Sequence, residues 1–318
     1  MIHSSCGRWT AAFFLASLLA LGWVAADAQP EWVPFGLRAQ AAGQPQTSGG
    51  MPEGQAEQTN APAQPDGSGF AAFGQPNSDQ PEELPAAYDF SQPAPEREAV
   101  DNLYFKDAAF IGDSRTDGFL IYSGIGQGKN LTSNGLSIFE LGEKKALTIG
   151  GEKYTLLEAL ALEQYGKVYL SLGVNELGYY DDEGFYRGYC QAIDRIREIQ
   201  PNAVIYVQGL IPLNEGVIAQ TGGETYLTNE HLRVYNDLMR RAAEEKQVAF
   251  LDLYSGFADE NGELPAEASR DGVHLRSDWC KQWLAYLQTH TVEFETLYPN
   301  GAPQVPSEEG QSDRSVEQ

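Results

Sequence analysis

Ile111-Gly112-Asp113-Ser114 closes a short apolar run begun by Ala108, Ala109 and Phe110, so a hydroxyl is set where a strand stops. A neutral serine attacks poorly until an imidazole takes its proton, and the imidazole needs a carboxylate to fix its tautomer. Both partners stand together far downstream in Asp271-Gly272-Val273-His274. Gly-Asp-Ser alone is an ordinary turn sequence. The paired acid and imidazole make Ser114, His274 and Asp271 a candidate Ser/His/Asp triad. Between them, Val168-Tyr169-Leu170-Ser171-Leu172-Gly173-Val174-Asn175-Glu176 runs an apolar strand into a Gly-x-Asn turn. That turn sets the Asn175 amide at another strand end, where it can donate to an oxyanion.

Gly112-Asp113-Ser114, Gly173-Val174-Asn175 and Asp271-Gly272-Val273-His274, in this order, resemble blocks I, III and V of the SGNH/GDSL hydrolases, over roughly residues 104 to 295. The resemblance implies that Ser114 attacks an ester carbonyl, that His274 is the general base and that Asp271 orients it. It further implies an oxyanion hole made by the N–H of Ser114, a block II N–H and the Asn175 amide. Block II departs from the family pattern. In Ser133-Asn134-Gly135-Leu136-Ser137-Ile138 the glycine comes early, so family spacing assigns the donor to Ile138 and residue type assigns it to Gly135. A backbone N–H donates whatever its side chain, and both stay candidates. Glu176 stands where the family usually has Asp, a change expected to alter a supporting hydrogen bond rather than the chemistry.

Of the four histidines, His3 lies in the leader and His231 and His290 fall in helical stretches, which leaves His274 as the one in a loop beside an acid. His231 is expected at a helix surface or cap, because Tyr235, Leu238 and Ala242 define the apolar face of its helix without it. No Cys/His cluster has metal-ligand spacing, and the chemistry needs no cofactor. Arg115, Tyr179 and Tyr180 are candidate substrate contacts, with a solvated side chain or loop packing as the plainer readings. Ser123-Gly124-Ile125-Gly126-Gln127-Gly128-Lys129 lacks the first glycine of a phosphate loop and reads as a flexible turn.

The elements that must position these residues follow from periodicity. Apolar runs at 108–112, 167–172, 203–209 and 248–253 suit parallel strands covered on both faces. Helical stripes fall between them: Phe185, Tyr189, Ile193 and Ile196, then Leu232, Tyr235, Leu238 and Met239, and last Trp279, Trp283, Leu284 and Leu287. A hairpin is expected around Gly150-Gly151, before a helix begun by Thr155. Alternating strands and helices give an α/β fold with a doubly wound parallel sheet, whose ligands bind beyond the carboxyl ends of the strands. The family resemblance implies the same three-layer α/β/α, flavodoxin-like sheet. The connection from Ile211 to Thr228 is expected to form a mobile wall of the cleft.

Residues 1–28 read as a secretory signal peptide: Arg8 precedes an apolar stretch, and Ala26-Asp27-Ala28 fits a small-x-small cleavage site. An uncleaved N-terminal anchor is the alternative, and with it the one expected membrane contact. Residues 29–100 are rich in Gln, Pro, Gly, Ala and Ser and read as a disordered linker; 300–318 read as a disordered acidic tail. Residues 101–299 form the single folded domain. The net charge of -24, from 45 acidic against 21 basic residues, argues against nucleic acid and anionic surfaces as partners. In an exported chain Cys190 and Cys280 could pair, or stay core thiols.

The expectation is therefore a secreted or cell-surface serine esterase acting on carboxylic esters, with O-acetyl groups of wall or extracellular polysaccharide as the substrate class drawn from the family. An acyltransferase acting on sugar hydroxyls would use the same triad. A non-catalytic carbohydrate-binding protein would keep the fold without turnover, and the displaced block II glycine keeps that reading open.

Overall fold

The structure, a computed structural model, describes residues 87–305. The expected signal peptide, most of the expected linker and most of the expected tail lie outside the described residues. In chain order the main elements are β1 (Ala108–Gly112), α1 (Ser114–Tyr122), β2 (Lys129–Thr132), β3 (Leu147–Ile149), β4 (Glu152–Tyr154), α2 (Leu156–Leu160), β5 (Lys167–Ser171) and α3 (Asp182–Ile199). They continue with β6 (Val204–Gln208), α4 (Glu215–Thr221), α5 (Asn229–Glu245), β7 (Ala249–Leu251), α6 (Leu253–Phe257), α7 (Ser277–Thr289) and α8 (Phe294–Leu297). Five strands form one parallel sheet in the order β2-β1-β5-β6-β7. This is the flavodoxin-like arrangement, in which the chain winds outward from β1 to β2 and then returns to the other side of β1. The crevice opens at that reversal, at the carboxyl ends of β1 and β5.

Each central strand is buried on both faces because its residues alternate between two cores. Ala109 and Ile111 pack with α2, α3 and α5, whereas Ala108 and Phe110 pack with α1, α6, α7 and α8. Register is marked on the second face by Phe110, Tyr169 and Tyr206, which lie directly opposite one another on β1, β5 and β6. Their rings stack at 4.9 and 4.6 Å, so a slip of one residue would turn all three onto the wrong face. The expected hairpin is β3–β4, with Gly150 and Gly151 at positive φ in its two-residue turn. Thr155 caps α2 through a reciprocal box with Glu158.

One strand goes unannounced in the sequence, and two expectations change. β2 begins at Lys129, the last residue of the segment read as a flexible turn; it is a half-solvated edge strand with only Leu131 and Thr132 buried, so it has no apolar run to read. The linker does not extend to residue 100: Ala94 N–H bonds Phe250 O on the outer side of β7, and Arg97 and Val100 bond the end of α7, so the folded unit includes this segment. The connection from Ile211 to Thr228 is not an irregular loop throughout. It contains α4, its first four residues are buried, and Asn214 ties it to Gly272 and Leu264. Of the two alternatives for Cys190 and Cys280 the structure has the core thiols: both are free and buried, on opposite faces of the sheet. Among the described residues, no helix is long and apolar enough to cross a membrane.

Candidate active site

The site is built where two strands of the sheet end. At the end of β1, Asp113 caps α1 by accepting the Arg115 N–H at 2.9 Å. Ser114 is thereby the first residue of α1, and its own N–H has no partner among the described residues. An N–H free at a helix N-terminus favours negative charge beside it.

Ser114 Oγ lies 2.8 Å from His274 Nε2, and His274 Nδ1 lies 2.7 Å from Asp271 Oδ2. Since a carboxylate only accepts, Nδ1 carries the hydrogen and Nε2 presents its lone pair to the serine hydroxyl. A chain separation of 160 residues is closed by this one contact. The loop bearing the acid and base is held by its own backbone: Asp271 Oδ1 accepts from Val273 N–H at 2.9 Å and His274 N–H at 2.8 Å. Ser269 Oγ sits within 3.0 Å of the same oxygen and 2.7 Å of His274 O. Burial works to raise the proton affinity of Asp271, but the His274 and Val273 amides and the imidazole outweigh it and hold the carboxyl well below the usual range. Gly272 turns this loop at φ +82°, and its carbonyl accepts the Asn214 N–H. The side chains of His274 and Asp271 are half exposed, so the relay opens directly to solvent.

At the end of β5 the Val174–Glu176 turn sets Asn175, whose Nδ2 donates to Leu136 O at 2.9 Å and, more loosely, to Asp113 Oδ2 at 3.3 Å. Asn175 therefore joins the block II turn to the cap of the nucleophile helix. The two block II candidates now separate. Ile138 N–H is taken by Glu176 Oε1, so the oxyanion assignment to Ile138 is corrected: its hydrogen is already held by a buried carboxyl. Gly135 sits at φ +69° in the turn closed by Leu136 N–H on Ser133 O, and its own N–H has no partner among the described residues. Burial pushes Glu176 up to about 8, against the Ile138 bond and with added repulsion from Asp113, so Glu176 is a neutral acid at pH 7. Burial likewise raises Asp113, opposed by the Arg115 amide.

Arg115 is not a substrate contact, nor is it solvated. Its side chain is buried behind Asp113, where Nη1 donates to Ile211 O at 3.0 Å and Nη2 has no partner among the described residues. Tyr179 and Tyr180 are exposed on the loop that leaves Asn175; Tyr179 packs on Phe139, and Tyr180 lies parallel to the ring of His231. His231 is also no surface or cap residue, since both ring nitrogens have partners and its side chain is largely covered. Ser269 and Asn214 support the site in ways no local sequence signal announces, whereas Glu176 makes a supporting hydrogen bond from the position where the sequence suggested one. Among the described residues, no group of three or more His, Cys, Asp or Glu side chains could hold a metal ion.

Fold and site together define a flavodoxin-like α/β protein of the SGNH hydrolase type. The chain belongs to the GDSL-like Lipase/Acylhydrolase family, whose model matches residues 110–278. Similar solved structures include a protein from Streptococcus pneumonia, 21% identical with TM-score 0.47, over 60% of this chain and 84% of that one. Another is a GDSL-like lipase from Bacteroides thetaiotaomicron, 12% identical with TM-score 0.42, over 57% and 86%. A third is the periplasmic domain of a lipopolysaccharide acetyltransferase from Salmonella ser. Paratyphi A, 15% identical with TM-score 0.42, over 57% and 82%. No curated protein sequence matches the chain.

Proposed function

We propose that this chain is an exported serine esterase that removes small acyl groups, acetyl foremost, from hydroxyls of an extracellular or wall carbohydrate. The observation that carries the reading is the continuous relay from Ser114 Oγ through His274 to Asp271, with contacts of 2.8 and 2.7 Å. His274 Nε2 takes the hydroxyl proton as Oγ attacks the ester carbonyl, and Asp271 stabilises the imidazolium that forms. The oxyanion is held by the Ser114 N–H, by the Gly135 N–H and by the second Asn175 hydrogen, the one whose bond to Asp113 is long. The imidazolium then protonates the departing alcohol. Water, deprotonated in turn by His274, releases the acid and restores Ser114.

The substrate class is supported by three features. A half-exposed relay can reach an ester borne on a large polymer without a lid. Tyr179 and Tyr180 offer exposed ring faces beside the Asn175 turn. A net charge of -24 disfavours polyanions and suits neutral glycans. Export rests on residues 1–28 of the sequence.

The test compares wild type with Ser114→Ala on p-nitrophenyl acetate and on O-acetylated xylan and peptidoglycan, with acetate release as the readout. A fall in kcat of roughly 10³-fold or more with an unchanged circular dichroism spectrum is expected. Equal rates for the two proteins would remove Ser114 from the chemistry. A wild-type rate that requires an added sugar acceptor would convert the esterase into a transferase.

A further inference from the structure

Among the described residues, His231 is the one imidazole outside the relay that touches the loops of the site. It lies in the first turn of α5, where Thr228 caps its backbone N–H, and its ring is inserted between Tyr180 and Tyr235 at 5.4 and 4.4 Å. Nδ1 is 2.7 Å from Leu177 O, and Nε2 is 2.9 Å from Asp182 Oδ1. Neither partner has a hydrogen to give. A neutral imidazole donates from one nitrogen only, so one of the two contacts would then set a lone pair against an oxygen. Both bonds exist together only in the doubly protonated ring.

What the ring holds matters for the chemistry. Leu177 directly follows the Val174–Glu176 turn that carries Asn175, and Asp182 opens α3 on the far side of Tyr179 and Tyr180. The same helix α5 also grips Glu176 O through Tyr235 Oη at 2.8 Å. Helix α5 thus secures the Asn175 turn at two points, and the imidazole is the point that loss of a proton can loosen. The titratable and charged groups around it are Asp181 and Asp182 of the α3 start, Glu183 one residue on, Glu230 and Tyr235 of its own helix, Tyr180 of the loop, and Glu176 of the turn.

We propose that His231 is a positioning residue: bridging Leu177 O and Asp182 with both ring nitrogens, it fixes the Asn175 amide and the Tyr180 ring, and the bridge is complete only while the ring carries both hydrogens. This rests on the esterase reading and adds to it a second proton requirement of opposite sign. His274 must be free of its extra proton to act as base, whereas His231 must keep its own.

The experiment measures kcat and KM across pH for wild type and His231→Gln on an acetylated saccharide, together with the imidazole nitrogen shifts of the wild-type protein by NMR. His231→Gln is expected to lose about three- to tenfold in kcat/KM at neutral pH, the scale of one hydrogen bond. Identical rates and pH profiles in the two proteins overturn the proposal. So does a ring nitrogen of His231 that is already bare at the pH of full activity, a measurement that stands even where the variant does not fold. A fully active Ser114→Ala protein would end the esterase reading while leaving the nitrogen shifts to judge the bridge, so the two failures are told apart.

Discussion

Replacing Asp271 with Asn exchanges one oxygen for an NH₂ group and changes almost nothing in size. The loop dictates which way the amide must face. Oδ1 accepts the N–H groups of both Val273 and His274, so an NH₂ there would meet two donors; the amide oxygen stays at that position and the nitrogen takes the place of Oδ2. That nitrogen then faces His274 Nδ1 at 2.7 Å. A donor at this distance forces Nδ1 to become the acceptor and moves the ring hydrogen to Nε2, the atom that must take the proton of Ser114. The base is present but in the wrong tautomer, and the imidazolium has lost its counter-charge. Wrong-tautomer variants of this relay lose about 10⁴-fold in kcat, or ~5.5 kcal/mol of barrier. The half-exposed setting here lets water compensate in part, so 10³- to 10⁴-fold is expected. Asp271→Asn is measured on p-nitrophenyl acetate beside wild type, with melting temperature as the control for the loop. An Asp271→Asn protein within about tenfold of wild type, melting normally, would refute the assignment of the acid.

Glu176→Gln should flatten the pH dependence of stability. Its carboxyl binds a proton up to about 8 in the folded chain but only to about 4.5 when unfolded, so the stabilisation is full below the lower value and is lost as pH rises through the upper one. The melting temperature of wild type should fall between pH 5 and 9 by more than that of Glu176→Gln, equivalent to ~2 kcal/mol or more by pH 9; parallel melting curves would contradict this. Gly272→Ala places a methyl carbon 2.5 Å from Asn214 O at a φ of +82°. It should cost about 2 kcal/mol, a melting shift of roughly 4–8 °C, and lower kcat by displacing Asp271 and His274 together. An unchanged kcat with the expected melting shift would show that the loop adjusts without moving its acid and base.

The parts of this molecule legible in its sequence are those whose signal is local. β1, β5 and β6 are buried on both faces and read as unbroken apolar runs, and the amphipathic helices α3, α5 and α7 read by their stripes. Ser114, Asn175, Asp271 and His274 were legible because each follows a strand end or shares a short loop, and the structure brings Ser114, Asp271 and His274 into contact. What the sequence hides is tertiary partnership. Counting positions pointed to Ile138 as an oxyanion donor, but the carboxyl that occupies its N–H lies 38 residues away. His231 gave a helix position and no hint that Leu177 and Asp182, both far upstream, would take its two nitrogens. Arg115 looked solvated since nothing local shows that its helix turns that face inward. Residues 88–100 read as a linker because their attachment rests on backbone N–H groups and on a few apolar side chains, Tyr88, Phe90, Ala94 and Val100, whose spacing follows no strand or helix period.

That last attachment has a practical consequence. β7 is the edge strand opposite β2, and the carbonyl of Phe250 that points away from the sheet is met by Ala94 N–H. A bare outer strand is a template on which other chains can polymerise, and this one is sheathed by a short stretch of polypeptide that looks dispensable. Expression of the catalytic region from Asp101 onward would strip the sheath and yield a protein prone to clumping, whereas starting before Tyr88 would keep it dispersed.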